Sequence, residues 1–224
     1  MKSFNWLLVL SVLSCFGCSS PVHEDDRGCA FVSDSIQYRV EFMSAGCVRI
    51  LSFPEGDTLV TKRLVVDSEK PAFKDYKWED TGQKLLFRTR ELSVVFDKAD
   101  AAFIFQETST GKLLLKEKGD RKARNFKRSV AGGEQCLEVT QRFVPTEDEA
   151  IYGLGQYQNG IMNYRGKSVL LLQANMDIVN PFLISTNGYG VLWDNYSSTK
   201  FEDTKEGYSF TSEVGDASDY YFVY

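Results

Sequence analysis

The sequence predicts an all-β protein, an antiparallel β-sandwich, on three observations. Apolar and polar residues alternate with period two over several short segments. Turn-forming residues separate those segments at short spacing. No segment shows a helical period long enough to specify a helix.

The alternation is plainest from Ile36 to Phe42 (IQYRVEF), where Ile36, Tyr38, Val40 and Phe42 fall on one face and Gln37, Arg39 and Glu41 on the other. Ser44-Ala45-Gly46 predicts a turn, and Cys47 to Leu51 begins the next strand. Further strands are expected at Lys84–Thr89, Leu92–Phe96, Ala102–Gln106, Lys112–Leu115, Cys136–Phe143, Ser168–Leu172 and Phe182–Ser185. Thr110-Gly111 is the turn signal between two of them. Asn187-Gly188, between PFLIS and YGVLWDN, has the residues that tolerate the positive φ of a tight hairpin turn. The end of the sequence, Asp219 to Tyr224 (DYYFVY), reads as an aromatic strand without a closing turn; it suggests a fragment of a longer protein, or else a last strand buried in a sheet.

The 224 residues are 43% apolar and 25% charged, enough for one large or two small cores. The net charge of −5 argues against nucleic acid, whose phosphates need a basic face. The basic run Lys118 to Arg128 (KGDRKARNFKR) is expected to be a solvated loop or hairpin tip.

Met1 to Cys18 (MKSFNWLLVLSVLSCFGC) has one early lysine, an apolar run too short to span a bilayer, then small residues and cysteines. This is a signal-peptide pattern, and Cys18 after Gly17 resembles the lipid acceptor of bacterial lipoproteins. Cys15 after Ser14 is the alternative acceptor, and a plain secretory signal is the alternative to both. Residues 19–28 (SSPVHEDDRG) then form a polar tether, and 29–224 the folded domain. The expected location is the cell envelope, lipid-anchored on the periplasmic or outer-membrane face. Export permits a disulfide among Cys29, Cys47 and Cys136, but three small buried hydrophobes fit equally. His23 is the only histidine and no C-x-x-C occurs among the three cysteines after the signal segment, so no metal site, no cofactor and no Cys-His or Ser-His-Asp centre is expected.

Two segments invite a chemical interpretation. Ile151 to Gly160 (IYGLGQYQNG) has Gly153-x-Gly155 but lacks the third glycine and the helix of a nucleotide loop. A tight glycine turn, with backbone passing close to backbone, is the simpler expectation. Asp177, in QANMDIVNPF, is a carboxylate among neutral and apolar neighbours, unlike the clustered acids Glu147-Asp148-Glu149 and Glu24-Asp25-Asp26, which are expected to be solvated. With Asn175 and Asn180 beside it, Asp177 suits hydrogen bonding to sugar hydroxyls, or a loop cap. Trp193 and Tyr196 suit a stacking platform or core positions.

From Ile151 onward the residues resemble the end of the amino-terminal domain of glycoside hydrolase family 31, which includes α-glucosidases and α-xylosidases. The resemblance rests on Tyr152-Gly153-Leu154-Gly155-Gln156, a loop with Asp177, and the stretch Pro181 to Asn195 (PFLISTNGYGVLWDN). The ending FEDTKEGYSFTSEVGDASDYYFVY is most similar to bacterial α-xylosidase-like members. From Cys29 to about Val144 the resemblance is one of pattern, to a galactose-mutarotase-like sandwich. It implies a retaining α-glycosidase acting on α-linked oligosaccharides, with a (β/α)₈ barrel carrying two catalytic aspartates. Neither barrel motif occurs in this sequence, so no catalytic residue is assigned to it. The resemblance assigns Asp177, and more weakly Asn175, to the rim of the substrate pocket, although Met176 stands where many relatives have arginine. A stand-alone carbohydrate-binding lipoprotein without hydrolase activity is the alternative, and an inactive structural or interaction domain a third.

Overall fold

The protein is a β-sandwich in a computed structural model, which describes residues 21–57, 64–66 and 72–224. The expected signal segment, with Cys15 and Cys18, lies outside the described residues. The first strands are β1 (His23–Glu24), β2 (Cys29–Ser33), β3 (Ile36–Ser44), β4 (Cys47–Pro54), β5 (Lys77–Asp80) and β6 (Lys84–Arg88). They are followed by β7 (Leu92–Asp97), β8 (Ala102–Glu107), β9 (Leu113–Glu117), β10 (Arg124–Ala131), β11 (Glu134–Val144) and β12 (Ile151–Gln156). The last are β13 (Ser168–Leu171), β14 (Ile178–Ser185), β15 (Gly190–Trp193), β16 (Thr199–Thr204), β17 (Gly207–Gly215) and β18 (Ser218–Val223).

One sheet runs β1-β2-β3-β4-β18-β15-β14-β12, and the other β13-β16-β17-β11-β9-β8-β7-β6-β5, with β10 paired to β11. Every pairing between them is antiparallel, and no helix occurs among the described residues. The expected strands are all present. The Asn187-Gly188 turn joins β14 to β15, with Gly188 at φ 91°, and Gly111, at φ 72°, turns β8 into β9.

The inner faces meet in one aromatic core. Tyr38 packs on Phe96 with ring centroids 4.9 Å apart, Phe222 stacks on Phe105 at 4.2 Å, and Trp193 on Phe210 at 5.6 Å. Each buried aromatic ring contributes about 1.5–3 kcal/mol by leaving water. Trp193 is thus a core residue, its Nε1–H donating to Ser212 Oγ at 2.9 Å. Tyr196 is exposed and accepts a hydrogen bond from the Leu64 amide, so the two do not form a stacking platform.

Several local expectations are corrected. Within the segment expected to be a tether, His23–Glu24 forms an edge strand on β2. It is held because the Glu24 carboxylate accepts from Trp78 Nε1 (3.0 Å) and Tyr76 Oη (2.9 Å). Glu149, expected to be solvated, is buried: Ser185 Oγ donates to it at 2.7 Å and the Thr146 amide at 2.8 Å, and Tyr189 Oη donates as well. The basic run is a turn over residues 118–123, exposed at 120–122 as expected, but from Arg124 it enters β10 of the β10–β11 hairpin, and its cations face acids: Arg121 pairs with Asp34, Arg124 with Glu117 and Arg128 with Asp57. No disulfide joins Cys29, Cys47 and Cys136. The outer face of β3, β4 and β18, where alternation predicts exposure, buries Glu41, Arg49 and Asp219. Arg49 Nε donates to Asp219 Oδ1 (2.7 Å) and Nη1 to Glu41 Oε2 (3.0 Å), which offsets the cost of removing these charges from water.

Candidate functional site

Asp177 stands where the chain enters β14, at the edge of the sheet, and β12 holds that edge. Tyr152, Gly153, Gly155 and Gln156 pair with Ile184, Leu183, Val179 and Ile178, with a register shift at Leu154. Leu154 itself lies at φ 65° and Gly155 at φ 118°. A Cβ on Gly155 would sit 2.1 Å from the Ile178 carbonyl oxygen, and one on Gly153 2.5 Å from that of Phe182. The Tyr-Gly-Leu-Gly segment is therefore a bulged strand in which glycine lets one backbone lie against the next. The expectation of close backbone approach is met, in a strand rather than a turn.

The bulge buries the Leu154 side chain and sends Tyr157 back across it, its hydroxyl donating to Leu154 O at 2.9 Å. Tyr157 is half-buried near Asp177. Burial first, then Tyr164 and the Asp177 charge, push its phenol up to about 12, so it stays protonated and able to donate at neutral pH.

The loop before β14 makes a four-residue turn from Ala174 to Asp177, closed by the Asp177 amide donating to Ala174 O (3.3 Å). Asn175 and Met176 occupy its tip, both exposed. Gln173, just before the turn, donates from Nε2 to Asp177 O (2.8 Å) and accepts at Oε1 from the Val179 amide (3.1 Å). Among the described residues the Asp177 carboxylate has no hydrogen-bonding or ion-pairing partner, and it is only partly exposed. Asp177 is thus a carboxylate presented on a fixed backbone rather than a loop cap. Asn180 points into solvent beside it.

Exposed apolar side chains lie on both sides of the carboxylate in sequence, Met176 and Ile178, and others stand further along these strands. Tyr152 and Ile184 lie opposite each other on β12 and β14, and Met176, Ile178, Leu170 and Leu172 are exposed nearby along the chain. The sequence singled out Asp177 as a candidate by its neutral and apolar neighbours, and Asn175 through the family resemblance. It did not mark Gln173 or Tyr157, whose roles depend on a turn that no motif encodes. A cavity of about 630 Å³ lies elsewhere, lined by Lys77, Glu79, Leu86 and Arg88 of β5 and β6, and Asp177 has no part in it. Among the described residues no cluster of His, Cys, Asp and Glu is arranged to hold a metal, and no helix is long and apolar enough to cross a membrane.

Fold and loop define a class: a galactose-mutarotase-like sandwich with a carboxylate-bearing loop at one sheet edge. Residues 37–202 match the family model of the glycosyl hydrolase 31 N-terminal galactose mutarotase-like domain. The chain belongs to that family. It is 32% identical over 205 residues to an α-xylosidase of Saccharolobus solfataricus, covering 85% of this chain and 26% of that protein. Among solved structures, a family 31 α-xylosidase of Xanthomonas citri superposes with a TM-score of 0.69 at 30% identity, over 82% of this chain and 20% of that one. A family 31 α-xylosidase from a soil metagenome, complexed with xylose, has a TM-score of 0.76 at 23% identity, over 91% of this chain and 32% of that one, which shows the shared fold. The chain thus spans about a quarter of the length of the α-xylosidase relative.

Proposed function

We propose that this chain is the non-catalytic amino-terminal domain of a retaining α-glycosidase that removes terminal xylose or glucose from α-linked oligosaccharides. The domain supports a catalytic barrel and lends the Asp177 loop to the rim of its substrate pocket. The observation that carries this is the unpartnered Asp177 carboxylate, held on a fixed turn and flanked by exposed Met176 and Ile178, with the exposed Tyr152–Ile184 pair forming an apolar strip further along the same two strands. A carboxylate without an internal partner can accept hydrogen bonds from two sugar hydroxyls at once. An apolar strip of this kind suits packing against a second domain. Asn175, at the tip of the same turn, is a second polar contact for the sugar.

Bond cleavage would fall to two aspartates of the barrel. One attacks the anomeric carbon; the other protonates the leaving oxygen and then activates water. The proposal extends to location: Cys18 receives lipid and holds the protein at the cell envelope. Membrane recovery of the wild type, with a larger uncleaved lipidated precursor accumulating in cells grown with globomycin and not in Cys18→Ala, tests that part; wild type wholly in the soluble fraction overturns it.

The decisive test is hydrolysis of p-nitrophenyl α-xyloside and α-glucoside by the 224-residue chain and by the chain joined to a family 31 barrel. Activity in the joined protein alone, with KM raised by Asp177→Ala, is the expected result. Cleavage by the short chain places the chemistry here and overturns the assignment. Tight sugar binding by the short chain, with no gain on joining the barrel, favours a stand-alone carbohydrate-binding lipoprotein.

A further inference from the structure

The turn that presents Asp177 is built on a residue ill-suited to it. Met176, third in the Ala174–Asp177 turn, has φ 71°. Turns with a positive φ at that place favour glycine or asparagine, because an L side chain there crowds the following carbonyl. Such a conformation persists only where its surroundings over-determine it. Packing of Met176 itself supplies little, since 66% of the residue is exposed.

The hold comes from Gln173. Its single amide donates to Asp177 O and accepts from Val179 N–H, at 2.8 and 3.1 Å. It pairs with the backbone on both sides of Ile178 as a residue of an added parallel strand would. The two peptides that flank Ile178 are thereby each held from one side, at Asp177 O and Val179 N, while the other edge of Ile178–Val179 is fixed by β12 through Gly155 and Gln156. Only glutamine serves here. Glutamate would set an acceptor against Asp177 O, and asparagine is one methylene too short to reach both groups.

We propose that Gln173 is a positioning residue for substrate recognition: it holds the turn against the strain at Met176 and so sets where the Asp177 carboxylate meets the sugar hydroxyls. The inference rests on the assignment of Asp177 to the substrate pocket. It adds that strain and clamp are coupled, so that relieving the first removes the need for the second.

The experiment uses the protein joined to its barrel and five variants: Asp177→Ala, Gln173→Ala, Gln173→Glu, Met176→Gly, and Gln173→Ala with Met176→Gly. Displacement of a substrate-binding group is felt strongly by the reaction. Gln173→Ala and Gln173→Glu are expected to raise KM for p-nitrophenyl α-xyloside about fivefold or more, with kcat within about twofold. The double variant returns KM to within about twofold of Met176→Gly alone. Hydrogen exchange of the Val179 amide, which reports the clamp without substrate, accelerates about tenfold in Gln173→Ala and not in Met176→Gly. If Asp177→Ala raises KM and Gln173→Ala does not, the positioning role is wrong and the Asp177 assignment stands. If Gln173→Ala raises KM and the double variant stays impaired, the coupling to strain is wrong. If Asp177→Ala has no effect, the Asp177 assignment fails and the positioning role with it, and Val179 exchange shows whether the clamp survives as a purely structural contact.

Discussion

The Tyr220 hydroxyl donates to Glu117 Oε1 at 2.8 Å inside the core, tying β18 of one sheet to β9 of the other across 103 residues of sequence. Glu117 also accepts from Gln141 Nε2 (2.8 Å), from the Phe103 amide (2.7 Å) and from Arg124. Arg124 in turn donates to Tyr38 Oη (2.8 Å) and Ala101 O (2.9 Å), and its guanidinium lies 4.9 Å over the Tyr38 ring. Arg124 Nε is left without a partner, but the paired opposite charges are tolerated in the core, whereas one charge left alone is not.

Glu117→Ala is therefore expected to destabilise the protein by about 3–5 kcal/mol, because Arg124 loses its counter-charge inside the core. Tyr220→Phe removes one hydrogen bond to the same carboxylate and is expected to cost about 1–3 kcal/mol. Urea unfolding followed by tryptophan fluorescence measures both. Equal losses in the two variants contradict the ranking of charge over hydrogen bond.

The β12 bulge makes a second stability prediction. Gly82, at φ 86°, has open space where a Cβ would sit, so Gly82→Ala carries backbone strain alone, about 1–2 kcal/mol. Gly155→Ala has the same kind of strain and also collides with the Ile178 carbonyl. It is expected to exceed Gly82→Ala by at least about 1 kcal/mol and to weaken substrate binding through the displaced Asp177 loop. Matched thermal melts of the two alanine variants check it, and parity between them removes the steric claim.

The edge strand β1 should loosen in acid. Hydrogen bonds from Trp78, then from Tyr76, hold the Glu24 carboxyl below its ordinary 4.5, working against a small cost of desolvation. A depressed folded-state pKa means that the stabilisation is complete above about pH 4.5 and lost as pH falls through the lower folded value. Fluorescence of Trp78, with Trp6 and Trp193 replaced by phenylalanine, is expected to change in that acidic window at a pH below 4.5. The change should be absent in Glu24→Gln. A transition centred well above 4.5 would reverse the sign of the shift.

Thiol reactivity should separate Cys29 from Cys136 in the folded domain. Burial pushes the Cys29 thiol up to about 11, against the lowering effect of its hydrogen bond with Tyr76. The thiolate is the reactive form, so Cys29 is expected to resist Ellman's reagent at about pH 8 until the protein unfolds. Cys136, half-buried on β11, reacts in the native state. Mass mapping of the labelled sites identifies the order, and early labelling of Cys29 would place it outside the core.

Much of the sandwich was legible because alternation is local. A strand half-buried in a sheet shows its faces in its own residues, as Ile36 to Phe42 does on β3, and Asn187-Gly188 specifies its turn by the φ it tolerates. β12 was less legible, since Gly153 and Gly155 report only that backbone comes close, not which strand arrives. Asp177 was visible as an isolated carboxylate in a family-like segment. Gln173 was not, because its part depends on the peptide groups of Asp177 and Val179 facing one way after the turn.

By itself the sequence determined the fold class, most strand positions and the segment that bears Asp177, all of them properties of short stretches and their side-chain period. Tertiary structure alone decided the strand order, which puts β18 between β4 and β15, and with it the partners of the buried charges. Arg49 and Asp219 lie 170 residues apart, and Glu117 and Tyr220 lie 103 apart. No local pattern encodes such pairs; they exist because the two sheets close on one another, and water is then excluded from charges that must find each other.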